Sequence, residues 1–152
     1  MRIFLSAATE NYIKKVAPIK TIIDFLLKFE HTQTNPYPSF MFSDKKTKRI
    51  AGEAKKMREL IRKSDLLLAE ISVPSFGVGY NICLAQYYQL PIICLCRKDY
   101  KTNIPDFVKN FNGRYIKIIE YTNDNLKTKL KEALVVATPK KIRLNMNLDH
   151  DV

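Results

Sequence analysis

The sequence predicts an α/β domain in which a parallel β-sheet is covered by helices on both faces. Three observations carry this. Short, continuously apolar runs suit fully buried strands: Ile3-Phe4-Leu5, Leu66-Leu67-Leu68-Ala69 and Ile92-Ile93-Cys94-Leu95-Cys96. Between them, apolar residues recur at helical spacing, and the two patterns alternate at the interval of strand–helix–strand units. At 152 residues and 46% hydrophobic, the chain is long enough to enclose one core. The expected organisation is one domain over residues 1–137 and a basic tail over 138–152.

The elements follow in order. Arg2 to Ala8 is an apolar run ending in small residues, a first buried strand that leads into a ligand-facing turn. Ile13, Val16, Ile19, Ile23, Leu26 and Leu27 place a helix over residues 12–29, with Pro18 as a local irregularity. Residues 31–43 hold two prolines and mixed aromatics, which predicts a loop with a short second strand. Ser43 and Asp44 cap a helix through Ala51, Ala54, Met57, Leu60 and Ile61 to Ser64, and residues 65–71 form a second buried strand. After a Pro/Gly loop, Tyr80 to Gln89 is helical and residues 91–96 form the next strand. Residues 105–111 read as helix, Asn112-Gly113 as a turn, 114–121 as strand and 126–136 as a closing helix.

Composition excludes several classes. Charged residues at 27% and aromatics at 11% are ordinary for a globular fold, which excludes wholesale disorder and collagen-like or coiled-coil chains. No apolar run is long enough to cross a bilayer, and the chain opens with a strand instead of a basic leader; the expectation is a soluble, cytoplasmic protein with no membrane partner. Cys83, Cys94 and Cys96 lack metal or redox spacing and read as reduced core thiols. His31 and His150 are the two histidines, far apart and without a Ser or Cys constellation, so neither a metal site nor a cofactor is expected. A net charge of +11, from 26 Lys and Arg against 15 Asp and Glu, favours phosphates, nucleic acids or acidic surfaces as partners.

Chemistry concentrates on Pro74-Ser75-Phe76-Gly77-Val78-Gly79-Tyr80. In an open parallel sheet, ligands sit beyond the carboxyl ends of strands, where turns and helix N-termini present unpaired N–H groups. Ser75 offers a hydroxyl, Gly77 and Gly79 permit unusual dihedrals and close approach, and the following helix directs its positive end at an anion. A phosphate is the expected guest. Tyr80 is a candidate for lining the ligand pocket, whereas Tyr87 and Tyr88 read as packing residues.

The whole run from Ser64 through Asp65-Leu66-Leu67-Leu68-Ala69-Glu70-Ile71-Ser72-Val73 to Tyr80 resembles the corresponding stretch of the 2′-deoxynucleoside 5′-monophosphate N-glycosidases, relatives of the nucleoside 2-deoxyribosyltransferases. The resemblance extends to Ile3-Phe4-Leu5-Ser6 and to residues 92–96, about the first hundred residues in all. It implies a Rossmann-like homodimer whose Pro-Ser-x-Gly-x-Gly loop holds a 5′-phosphate, a role that falls here on Ser75, Gly77 and Gly79, with Ser6 beside them. The family's nucleophilic Glu follows the Gly-x-Gly-Tyr; that position is Asn81. An amide carries no charge to stabilise a cationic sugar and is a poor nucleophile. A second family carboxylate falls on Met57. Glu53 and Glu59 on the same helix, and the strand-end Glu70, are the alternative carboxylates; the competing readings are solvated helix glutamates for the first two and, for Glu70, a carboxylate that pairs with a Lys or caps a loop.

The tail Lys140-Lys141-Ile142-Arg143-Leu144-Asn145-Met146-Asn147-Leu148-Asp149 alternates with period two and resembles the first strand of a ribbon-helix-helix DNA-binding module. Arg143, Asn145 and Asn147 would face outward; an edge strand or a basic tail is the competing reading. Three functions are expected from these features: a nucleoside 5′-monophosphate-binding protein with weakened or lost chemistry, an active N-glycosidase or deoxyribosyltransferase using another carboxylate, and a DNA-binding regulator that dimerises through its α/β domain.

Overall fold

A computed structural model of the chain describes residues 1–8, 18–34, 53–103 and 116–137. Five strands, β1 (Arg2–Ser6), β2 (Thr32–Gln33), β3 (Leu66–Glu70), β4 (Ile92–Arg97) and β5 (Ile116–Tyr121), form one sheet in the order β2-β1-β3-β4-β5. Every pairing is parallel, with Ile3 opposite Leu66, Leu67 opposite Ile92, and Ile92 opposite Ile116. Among the described residues, four helices accompany the strands: α1 (Ile19–Lys28), α2 (Glu53–Arg62), α3 (Phe76–Tyr87) and α4 (Leu126–Val136). A 3-10 turn, Lys98–Asn103, follows β4.

Alternate strand residues face opposite layers, as the pleat requires. Ile3, Leu5, Leu66, Leu68, Ile93, Leu95, Ile119 and Tyr121 pack under α1 and α4, against Ile22, Leu26, Leu126 and Leu130. Phe4, Leu67, Ala69, Ile92 and Cys94 face the other way, onto Ile61 of α2 and Val78 and Ala85 of α3. Both faces are dry because β3 and β4 are apolar at nearly every position, which is the pattern of a doubly covered parallel sheet.

Boundaries depart from the sequence reading at informative places. Pro18 is the N-cap of α1 and its carbonyl accepts from the Ile22 N–H at 3.1 Å; its fixed φ and missing N–H suit a helix start. The first part of the expected helix at residues 12–17, the loop and helix start at 35–52, the helix at 105–111, the turn at Asn112-Gly113 and the tail at 138–152 lie outside the described residues.

At the N-terminal edge of the sheet, Arg2 and Asp65 clamp β1 to β3. The Arg2 N–H and Nη2 donate to the Asp65 carboxylate at 2.8 Å each, and the Asp65 N–H donates to the Arg2 carbonyl at 2.8 Å. Helices α1 and α3 both end here in left-handed residues, Glu30 (φ 56°) and Gln89 (φ 55°). After α3, Leu90 N–H donates to Ala85 O and Gln89 N–H to Gln86 O, both at 2.9 Å; His31 to Leu26 and Glu30 to Leu27 repeat this double closure after α1. No helix among the described residues is long and apolar enough to cross a membrane.

Candidate active site at the carboxyl edge of the sheet

The strand order reverses direction at β1. Its chain continues to β2 on one side, while β3, β4 and β5 extend on the other, so a crevice opens beyond the carboxyl ends of β1 and β3. Ser6 ends β1 and is 2% exposed. It shares a sheet face with Phe4, the face covered by α3, and Asn81 of that helix donates Nδ2–H to Ser6 Oγ at 3.0 Å. Residues 75 apart in sequence thus meet at the crevice floor. With Ser6 Oγ accepting, no described residue takes its hydroxyl proton, and the Asn81 carbonyl oxygen is the remaining acceptor of that amide.

Ser75 is the N-cap of α3, with extended backbone (φ −148°, ψ 125°) and its Oγ accepting from the Val78 N–H at 3.5 Å. The cap corrects the expected boundary: the helix begins at Phe76, not Tyr80, so Gly77, Gly79 and Tyr80 lie in its first turns instead of a loop. Serine competes well for the free N–H groups of a first turn, and that nucleates the helix earlier than apolar periodicity suggests.

The glycines consequently have a different meaning. Neither adopts a left-handed φ; among the described residues, a Cβ on Gly77 would meet only Ser75 Oγ, at 3.9 Å, and one on Gly79 would meet nothing within 4 Å. The expectation of unusual dihedrals is overturned. Among four glycines in 152 residues, two stand where the helix does not require them, while Glu30 and Gln89 occupy left-handed helix ends where glycine is favoured. The pair leaves the first turn of α3 bare above its N–H groups, where the helix dipole is positive.

The carboxylate candidates are placed apart. Glu70 ends β3 but shares its parity with Leu66 and Leu68, the α1/α4 face, opposite to Ser6 and Asn81. It is fully buried and accepts from Ser72 N–H (3.3 and 3.4 Å), Ser72 Oγ–H, and Tyr121 Oη–H at 3.1 Å. Burial pushes its carboxyl above the ordinary value of 4.5, and the Ser72 and Tyr121 donors oppose that shift. Burial, then the Glu70 charge, drive the Tyr121 phenol far upward. Glu59 is exposed on α2, and Met57, at the position of the second family carboxylate, packs against the α2/α3 layer. Glu53 opens α2, and its side chain is not among those described.

Sequence reasoning missed Ser72, Arg97 and Tyr121. The Arg97 N–H donates to Ser72 Oγ at 2.7 Å, so the turn after β3 is tied to the ends of β4 and β5. A serine two residues beyond a strand-end Glu was a usable signal; Tyr121, 51 residues from Glu70, carried none. His31 lies at the opposite edge of the sheet, and among the described residues no group of three His, Cys, Asp or Glu could hold a metal.

No family model matches the chain. It is 35% identical over 97 residues to a protein of Syntrophotalea carbinolica named as a 2′-deoxynucleoside 5′-phosphate N-hydrolase, covering 62% of this chain and 68% of that one. It is 32% identical over 75 residues to the 5-hydroxymethyl-dUMP N-hydrolase of Branchiostoma floridae, covering 49% and 71%. A relative in Methanosarcina barkeri, named like the first, is 52% identical over 40 residues, a match spanning 25% of that protein's length. Among solved structures, the Clostridium botulinum CMP N-glycosidase superposes with a TM-score of 0.61 at 22% identity, covering 90% of this chain and 98% of that one, which fixes the fold as nucleoside 2-deoxyribosyltransferase-like. The shared sequence with these hydrolases and the shared fold lead to one conclusion: the chain belongs to the 2′-deoxynucleoside 5′-phosphate N-hydrolase family.

Proposed function

We propose that this chain binds a nucleoside 5′-monophosphate at the N-terminus of α3 and that its N-glycosidic chemistry is weakened or lost. One observation carries the binding claim: two helix glycines that the backbone does not demand leave open space over a positive helix end, beside the Ser75 and Ser6 hydroxyls. The phosphate would take the N–H groups of that first turn and the Ser75 hydroxyl. Tyr80, exposed one turn further along α3, would border the base.

The chemical claim rests on Asn81. Cleaving a base–sugar bond builds positive charge at the anomeric carbon, and a carboxylate stabilises or attacks that centre. The Asn81 amide is neutral and donates to Ser6, so this position carries no charge that would lower the barrier. Glu70 is a poor substitute because it faces the opposite layer and is committed to Ser72 and Tyr121. Calorimetry should show a 5′-monophosphate binding at least tenfold more tightly than its nucleoside. Chromatography should show barely detectable free base from a deoxynucleoside monophosphate, with Asn81→Glu raising the release. Equal affinity for the two ligands would remove the binding claim, and brisk base release by the unaltered chain would remove the chemical one.

A homodimer is part of the proposal. Helix α3 is apolar on both sides: Val78 and Ala85 face the sheet, while Phe76, Tyr80, Cys83 and Tyr87 form an exposed outer stripe, with Phe76 95% exposed. A second copy seated on this stripe would cover the phosphate end of α3. Sedimentation should report a dimer that Tyr87→Glu dissociates; a monomer at all concentrations would refute this part.

A further inference from the structure

We infer that Glu70 is a positioning residue: its buried carboxylate braces the Ile71–Ser75 turn, and thereby the N-terminus of α3, against the ends of β4 and β5. The hydrogen-bond directions are fixed by chemistry. The Arg97 backbone N–H can only donate, and it donates to Ser72 Oγ at 2.7 Å; the Ser72 proton is therefore directed to Glu70. Tyr121 Oη–H and the Ser72 N–H donate to the same carboxylate. Glu70 acts as acceptor for three donors, the role of an ionised carboxylate, and these donors, with the charge of Arg97, oppose the rise in pKa that burial causes. Such a group is costly to bury, and its three donors are what offset the lost hydration.

What it secures is the turn. Ser72 is 0% exposed and Val73 7%, so the two residues after Ile71 are anchored, one by Glu70 and one in the α1/α4 layer. Two residues later Ser75 caps α3, accepting from Val78 N–H by its side chain and from Gly79 N–H by its carbonyl at 3.1 Å. The direction of the free N–H groups over Gly77 is thus set from the far face of the sheet. Among the described residues Glu70 is bonded to Ser72 and Tyr121 and faces away from Ser6 and Asn81, which separates this role from that of a displaced catalytic carboxylate.

The inference deepens the phosphate-binding proposal but is tested first without any ligand. In the full chain, amide hydrogen exchange is compared for the wild type, Glu70→Gln and Glu70→Leu. Glutamine keeps one carbonyl oxygen for Ser72 Oγ–H and Tyr121 Oη–H, so it should hold exchange at Ser72, Val78 and Gly79 within about threefold of wild type. Leucine should speed exchange at those three amides at least tenfold, leaving Phe4 and Leu5 in β1 unchanged. Uniform acceleration across β1 and α3 would mean a general loss of stability and would overturn the inference, as would no acceleration by leucine. Calorimetry with a nucleoside 5′-monophosphate then separates the two claims. If the wild type binds nothing while the exchange pattern holds, the bracing role stands and the phosphate reading falls. If the wild type binds and Glu70→Leu binds equally well with slow exchange, the bracing role falls and the phosphate reading stands.

Discussion

Replacing Gly77 and Gly79 with alanine should stabilise the protein while weakening its binding of a phosphorylated ligand. Glycine inside a helix costs about 0.5–1 kcal/mol relative to alanine, because more backbone freedom is lost on folding. Alanine recovers that amount only where nothing obstructs its methyl and φ is helical. Both conditions hold among the described residues: the new Cβ at Gly79 has no neighbour within 4 Å, and that at Gly77 meets Ser75 Oγ at an ordinary 3.9 Å. The double variant should therefore gain about 1–2 kcal/mol, read as a higher urea midpoint with an unchanged slope. The same two methyls would stand over the first-turn N–H groups, so affinity for a nucleoside 5′-monophosphate should fall at least tenfold. Loss of stability would refute the claim that the fold has no need of these glycines. A gain in stability with unchanged affinity would refute the claim that a ligand needs them.

Other outcomes follow from the same geometry. Arg2 holds the Asp65 carboxyl below its ordinary value of 3.8, so the pair contributes stability above that value and loses it as pH falls through the lower folded pKa; the stability gap between wild type and Asp65→Asn should close on acidification. Glu70 has the opposite sign: its pKa is raised by burial, so stability is lost as pH rises from 4.5 through the folded value, and Glu70→Gln should remove that slope in urea titrations. Cys94 and Cys96 are buried, and burial, then the neighbouring Cys96, pushes the Cys94 thiol up to about 12, so a thiol reagent should reach both only after unfolding. Leu26→Ala, at a fully buried position under the sheet, should cost about 2–5 kcal/mol by denaturant titration.

Much of the sheet was legible because its strands are buried on both faces, which makes them continuous apolar runs with little room for another assignment. Ser6, Ser75 and Asn81 were legible as a set only through resemblance, since hydroxyls and amides have no periodicity. The start of α3 was misplaced because glycine and proline signal turns so strongly that the capping serine between them was given too little weight. Glu70 was recognised as a strand-end carboxylate, but its orientation depends on strand register, which composition does not encode. Tyr121 belongs to a strand far along the chain and is joined to Glu70 only by the parallel crossovers.

The two helix ends at Glu30 and Gln89 place conformational strain at the pole of the sheet opposite the crevice. A left-handed backbone in a residue with a Cβ costs on the order of 1 kcal/mol, and glycine relieves it without altering the closing hydrogen bonds. Glu30→Gly and Gln89→Gly would then add robustness at sites remote from Ser6, Ser75 and Asn81. The fold therefore offers an engineer a reserve for tolerating destabilising changes in the crevice, such as an ionised side chain installed at Asn81, by reinforcing the distant pole first.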